Sequence, residues 1–206
     1  MHPEPSQAPN ATFILPLLSV VERLDLGRLF PHPQPLEVEL GSGDGSFLAQ
    51  YAAGHPERNF IGVERLLGRL RKLDRKARRL GLENVRCVRI EAAYFLEYLL
   101  PPATARAIHV YFPDPWPKRR HHKHRLINER FPLLACQALA DGGAVYLRTD
   151  NAEYFERMKA VFQASPFFEE TPTPEDLAAA PTDFERDFLA QGVRTLRLAF
   201  RKVKHQ

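Results

Sequence analysis

Asp114, Trp116 and Lys118 alternate with prolines in Pro113-Asp114-Pro115-Trp116-Pro117-Lys118, and Arg119, Arg120, Lys123 and Arg125 follow, with His121, His122 and His124 among them. Three prolines in so short a stretch fix φ three times and remove three backbone donors, so it can neither continue a strand nor start a helix and reads as a stiff loop. That loop sets a carboxylate, the chain's only tryptophan and a cationic ledge side by side. Residues 122–140 read as a helix through Leu126, Ile127, Leu133, Leu134 and Ala138. The cations are therefore expected at and before a helix N-terminus, where the macrodipole disfavours them and stability alone would have placed acids. Free N–H groups with several cations make an anion site, and phosphate is the anion to expect. The histidines lack the i, i+4 spacing and the Cys or carboxylate partners of a zinc site, so no metal is expected.

A second set of reactive side chains is acidic. Glu39, Glu64, Glu91, Asp114 and Asp150 each stand at the C-terminal end of a strand-like run. After the first run comes Gly41-Ser42-Gly43-Asp44-Gly45, a turn without bulky side chains in which Gly41 and Gly43 let a ligand approach the backbone. Its spacing departs from the G-x-G-x-x-G of dinucleotide binders, and Glu39 and Asp44 would repel a pyrophosphate, so a cationic ligand is preferred. Glu64 lies about 20 residues beyond the turn, where an acid hydrogen-bonds a ribose diol. A ribose, a positive centre and no pyrophosphate together describe S-adenosylmethionine, with Glu91 and its neighbour Ala92 placed to meet the adenine amino group.

The elements that must position these groups alternate. Strands are predicted over residues 36–40, 59–64, 85–90, 107–112, 144–148, 167–171 and 193–203, and helices over 46–53, 65–80, 93–100, 122–140 and 152–164, with Asp141-Gly142-Gly143 as a turn. Such βα alternation implies an α/β fold, a parallel sheet with helices on both faces that binds ligands outside the carboxyl ends of its strands. With 206 residues and 44% hydrophobic content the chain can bury a continuous core without metal or disulfide. One domain is expected over residues 36–206, preceded by a loose proline-rich N-terminal tail over residues 1–35 with a short helix around residues 17–29. Cys87 and Cys136 match no CxxC pattern, which fits a reducing cytoplasm. The apolar run at residues 14–21 contains Pro16 and is too short to span a bilayer. Positive charge gathers between Arg65 and Arg130 and acids between Glu169 and Asp187, so one face is expected to be basic. On residues 65–79 the leucine stripe is read as core and the Arg/Lys face as solvated rather than as an RNA contact.

Taken together, Val38-Glu39-Leu40-Gly41-Ser42-Gly43-Asp44-Gly45, Gly62-Val63-Glu64, Phe112-Pro113-Asp114-Pro115-Trp116-Pro117-Lys118, Thr149-Asp150 and Thr182-Asp183-Phe184-Glu185 resemble the tRNA (guanine-N7-)-methyltransferase family. The glycine turn is generic to methyltransferases, whereas the FPDPWPK stretch with its basic continuation and the late T-x-F-E are specific. The resemblance implies a Rossmann-like class I methyltransferase fold, a seven-stranded mostly parallel sheet whose last strand is antiparallel. It also implies S-adenosylmethionine as donor and a guanine in the variable loop of tRNA as acceptor. Matching positions assign Glu39, Gly41, Gly43, Glu64, Glu91 and Asp114 to the cofactor, and Lys118, Asp150, Thr182, Asp183, Phe184 and Glu185 to the substrate. Glu91 stands where an aspartate is usual and Asp183 where a lysine or another polar residue often stands. Bacterial relatives act without the WD-repeat partner of eukaryotic ones, so no obligatory protein partner is expected for this chain, which is read as a monomer or homodimer.

Guanine N7 has an in-plane lone pair and no proton, so its attack on a methyl group needs positioning rather than a general base. A carboxylate can hold the positive charge that moves to the ring, and Asp114 is the candidate catalytic group. Asp114 or Glu185 could also accept from guanine N1–H and N2–H₂. Trp116 either stacks on a base or anchors its loop. Residues 182–185, in a long polar connection, are expected to fold back over the edge carrying Asp114 and Asp150. An exocyclic-amine methyltransferase is the nearest rival, but the D-P-P-Y/F/W loop of those enzymes has a second proline absent here. A non-catalytic RNA-binding subunit would have no need of an intact glycine turn and all five strand-end acids.

Overall fold

The computed structural model describes residues 12–203, the side chain of Phe184 excepted. Seven strands form one sheet: β1 (Leu36–Leu40), β2 (Asn59–Val63), β3 (Val85–Val88), β4 (Ala105–Tyr111), β5 (Leu139–Thr149), β6 (Phe168–Glu170) and β7 (Leu196–Lys202), in the order β3-β2-β1-β4-β5-β7-β6. β7 runs antiparallel to both its neighbours, and the other pairings are parallel. The chain leaves β1 toward β2 and β3, then crosses back to β4 and β5, so the sheet's switch point lies between β1 and β4, where a crevice opens at the carboxyl ends of strands.

Helices α1 (Ser46–Gly54) and α2 (Leu67–Arg79) cover one face. The other face is covered by α3 (Ala92–Tyr94, continued by a π turn over Phe95–Leu99), α4 (Phe131–Ala138) and α5 (Ala152–Gln163). The α2 stripe predicted from its leucines is core: Leu70, Leu73 and Ala77 are fully buried. β1 alternates Leu36, Val38 and Leu40 into the α3 to α5 side with Glu37 and Glu39 on the other, and all five are buried. A central strand with two inward acids requires polar partners. On β4, His109 is fully buried with Nε2 2.8 Å from Glu37 Oε2 and Nδ1 2.8 Å from the Tyr111 hydroxyl, and Arg58 donates to Glu37 Oε1 at 3.1 Å. Phe47 and Tyr51 of α1 roof this seam, with ring centroids 5.4 and 6.0 Å from His109.

Four expectations are corrected. The helix predicted over residues 122–140 is α4 alone; a 3-10 turn occupies Arg119–His124 and Pro132 sits in the first turn of α4, so the leucine pattern before Phe131 belongs to irregular chain packed on the core. The Asp141-Gly142-Gly143 turn is instead a distorted stretch within β5, with Gly142 at φ 72° and a register shift opposite Ala105/Ala107. The tail is docked from Thr12 on: Thr12 Oγ1 and Phe13 N donate to Asp74 Oδ1, Ile14 bridges to Cys87, and Leu24 N donates to Leu99 O. Its helix is a single 3-10 turn, Leu26–Arg28, because prolines at both ends of the segment limit helix growth; residues 1–11 lie outside the description. Finally, the polar connection after β6 carries two short helices, α6 (Glu175–Ala178) and α7 (Asp183–Ala190).

Candidate active site

β1 runs directly into the glycine turn, where Gly41, Gly43 and Gly45 have φ of 79°, 55° and 75°. Gly45 is a packing glycine, since a Cβ there would lie 2.2 Å from Leu73 Cδ1. At Gly41 a Cβ would meet nothing within 4 Å, so that side of the turn is open to a ligand. The turn is held from beneath by Val63 O, which accepts from Gly41 N and Ser42 N at 2.8 and 3.0 Å. It is held from the side by Glu64, whose Oε2 accepts from Gly43 N at 3.2 Å and Oε1 from Leu66 N at 2.8 Å. Glu39 is 4% exposed and its Oε2 has no hydrogen-bond partner among the described residues. Burial pushes its carboxyl well above the usual carboxylate range; Arg148 opposes that shift, while Asp44 and Glu64 add to it. Ser42 Oγ beside it is likewise unpartnered. An orphaned carboxylate oxygen, a free hydroxyl and an open glycine face suit a ligand that brings ammonium and hydroxyl donors, as S-adenosylmethionine does.

A cavity of about 280 Å³ joins this turn to the proline loop, lined by Gly41, Glu64, Glu91, Tyr111, Asp114 and Trp116 among others. Glu91 accepts from Ala93 N and Tyr94 N at 3.0 and 2.7 Å. Its carboxylate thus caps α3, and it is this cap that sets Ala92 at the cavity wall. Across the cavity, Asp114 is exposed and its Oδ1 accepts from Trp116 N at 3.1 Å. Phe112 and Trp116, at φ 50° and 44°, carry the left-handed backbone that lets the chain turn twice within this loop. The Trp116 ring is half-buried against His121 and His124, at centroid distances of 5.6 and 5.2 Å.

Lys118, Arg119, Arg120 and Lys123 are exposed on and before the 3-10 turn. They do not stand at the N-terminus of α4, so the anion site expected from free helix N–H groups together with these cations is corrected: the ledge is an array of side-chain charges. Arg125 leaves the ledge altogether. It is 4% exposed, donates Nε to Pro115 O at 2.7 Å, and its two terminal nitrogens clasp the Glu153 carboxylate.

Asp114 and Asp150 follow adjacent parallel strands, paired up to Tyr111↔Arg148, so both leave the sheet on the same edge; Asp150 is exposed beside Asn151, whose side chain caps α5. α7 lies at this edge: Asp183 N is 3.5 Å from Ser46 Oγ at the start of α1 and the Phe188 ring is 5.6 Å from that of Phe112, while α6 packs at the far end of α1, where Asp176 Oδ2 accepts from the Tyr51 hydroxyl at 3.1 Å. Thr182 and Glu185, however, face inward. Thr182 Oγ1 accepts from Glu185 N at 3.0 Å and Glu185 Oε2 accepts from Thr182 N at 2.8 Å, a capping box that starts α7. Glu185 is 1% exposed and also accepts from Arg148 and, at 2.8 Å, from Arg197. With both oxygens taken by cations, Glu185 is not a guanine acceptor in this arrangement, and the reading of it as one is corrected. Asp183 remains outward, paired with Arg186 and 4.0 Å from Lys76. The Phe184 side chain lies outside the described residues.

The sequence reading missed Arg148. It is 2% exposed, lies over the Tyr111 ring at 4.2 Å, and donates to the carbonyls of Leu177 and Ala180 at 2.6 and 2.8 Å. A signal was present: an arginine in the apolar run Ala144-Val145-Tyr146-Leu147-Arg148 cannot be buried without an acid.

Comparison with known proteins agrees with this geometry. A family model described as putative methyltransferase matches residues 33–198. The tRNA (guanine-N(7)-)-methyltransferase of Alkalilimnicola ehrlichii is 37% identical over 186 residues, 88% of this chain and 78% of that protein. That of Thiobacillus denitrificans is 38% identical over 193 residues, 92% and 84% of the two chains. Among solved structures, the 16S rRNA methyltransferase KamB aligns with a TM-score of 0.62 at 16% identity, covering 89% of this chain and 95% of that one. The antibiotic-resistance methyltransferase Kmr aligns at 0.58 and 18%, covering 84% and 88%; both likenesses show the class I methyltransferase fold. By sequence identity along most of its length, the chain belongs to the tRNA (guanine-N7-)-methyltransferase family.

Proposed function

We propose that this chain transfers the methyl group of S-adenosylmethionine to N7 of a guanine in the variable loop of tRNA, acting in the cytoplasm, as a monomer or homodimer, without an obligatory protein partner. What carries it is one juxtaposition: a single cavity has the open glycine turn and Glu64 on one wall and Asp114 with Trp116 on the other, beside an exposed cationic ledge. S-adenosylmethionine supplies a methyl group on a sulfonium, already activated for transfer. Glu39, Gly41, Gly43, Glu64 and Glu91 would hold it, the unpartnered oxygen of Glu39 taking a cationic donor and Glu64 the ribose hydroxyls. Guanine N7 needs no proton removed, so these residues act by placing reactants in line. Asp114 stands exposed where charge would move to the guanine, and its lone pairs can accept from N1–H and N2–H₂, which adenine does not offer. With Glu185 enclosed, that recognition falls to Asp114. Lys118 and the outward Asp150 and Asp183 surround the approach to the cavity, and Thr182 and Glu185 serve the substrate by fixing the helix that carries Asp183. No helix among the described residues is long and apolar enough to cross a membrane.

The test is methylation of total tRNA lacking this modification, with the product nucleoside identified. 7-Methylguanosine is expected, and an N6- or N4-methylated base would overturn the reading. Asp114→Ala should lower the rate by at least about 10²-fold, as for loss of a preorganised electrostatic group.

A further inference from the structure

The proline loop cannot hold itself. Its three prolines donate nothing, and no backbone–backbone hydrogen bond involves residues 113–117 among the described residues. Among the described residues, two side chains reach that backbone: Asp114, from within the loop, and Arg125. Arg125 donates Nε to Pro115 O at 2.7 Å, the carbonyl between Asp114 and Trp116. The same guanidinium is gripped by Glu153 at the start of α5, with Nη1 to Oε1 at 3.0 Å, and lies 4.7 Å above the Tyr154 ring. Tyr154 is fully buried and its hydroxyl accepts from Ile127 N at 3.0 Å. One planar fork therefore ties the loop to a helix seated in the core, a geometry lysine cannot reproduce.

We propose that Arg125 is the positioning residue of the reaction: it does not touch the tRNA, and by clamping Pro115 to Glu153 and Tyr154 it fixes where Asp114 and Trp116 stand at the cavity. The proposal deepens the methyl-transfer reading and rests on it for its kinetic half. Its structural half does not, because Trp116 is the only tryptophan and its fluorescence reports the loop alone.

The experiment compares Arg125→Ala, Arg125→Lys and Glu153→Gln with the parent chain. Glu153 is 62% exposed, so neither Arg125 variant leaves a buried unpaired charge, whereas Glu153→Gln leaves Arg125, 4% exposed, with an amide oxygen in place of its carboxylate. In both Arg125 variants, acrylamide quenching of Trp116 should rise about twofold, as for a segment released from its packing. At saturating tRNA their kcat should fall about 10²-fold, the cost of misplacing a reacting group by about an ångström. Glu153→Gln should move both readouts the same way by less. The slope of log tRNA affinity against log salt should stay unchanged, because Arg125 contacts no phosphate. Unaltered quenching in the Arg125 variants, full kcat in Arg125→Lys, or a slope lower by about one unit would each overturn the proposal. A parent chain that makes no 7-methylguanosine while quenching responds as expected would overturn the methyl-transfer reading and leave the clamp standing.

Discussion

Glu39 and Glu64 differ in the way that matters most for a binding carboxylate: among the described residues one has a buried oxygen without a partner, while the other is held by one backbone donor on each oxygen and keeps lone pairs for a ligand. Burial raises the Glu39 carboxyl above its ordinary value of 4.5, so the folded chain keeps a proton that the unfolded chain releases. Stability from this group is present at low pH and is lost as pH rises from that ordinary value through the raised folded one. Glu39→Gln should therefore raise Tm at neutral pH without cofactor while weakening S-adenosylmethionine binding, read by thermal denaturation with and without the ligand. A lower Tm at neutral pH would mean the carboxylate is paired after all. Glu64→Ala should weaken S-adenosylmethionine roughly tenfold to hundredfold, since a charged hydrogen bond is worth about 1.5–3 kcal/mol, with tRNA affinity nearly unchanged. Calorimetry showing equal loss of both affinities would place Glu64 in the wrong site.

At the scale of elements, α7 is a short helix made dependable by its ends. Its N-terminus is closed by a capping box, and its third residue, Glu185, is pinned by arginines from β5 and from just inside β7. The same carboxylate therefore caps the helix and docks it on the sheet. Thr182→Ala should cost about 0.5–2 kcal/mol, the range for losing an N-cap. Glu185→Ala should cost about 3–5 kcal/mol, because it strands Arg148 as a buried unpaired charge. Chemical denaturation distinguishes the two roles: an outward substrate ligand at position 185 would change stability by no more than about 0.5 kcal/mol. Methyl transfer by Glu185→Ala should still fall, through loss of α7 from the edge, with S-adenosylmethionine affinity intact.

For the molecule as a whole, charge is sorted by exposure. Arg58 and Arg148 are committed to internal carboxylates, Arg125 is buried against the exposed Glu153, and on α2 Lys76 and Arg78 pair with Asp44 and Asp74. Lys118, Arg119 and Arg120 are exposed and form no ion pair among the described residues, which leaves them for an external anion. Lys118→Ala, and Arg119→Ala with Arg120→Ala, should weaken tRNA binding and lower its salt slope by about one unit per lost phosphate contact. An unchanged slope in both would make the ledge a solvated surface.

The amino-acid sequence by itself determined the strand, glycine-turn, helix opening, the βα alternation, and the stiffness of the proline loop. Each of these is written in neighbouring residues: Gly41 to Gly45 can only turn, and Pro113, Pro115 and Pro117 cannot donate. It also set out the acids at the strand ends, because the carboxyl end of a strand is marked locally by where its apolar run stops. What only the tertiary structure decided was which charges face solvent and which are spent inside. Arg125 and Arg119 look alike in a basic run, and Glu185 and Asp183 look alike in a polar one, yet one of each pair is buried against a partner from a distant element. Burial depends on the residue that arrives from elsewhere in the chain. Glu153 is 28 positions from Arg125 and Arg148 is 37 from Glu185, and no local pattern records those meetings.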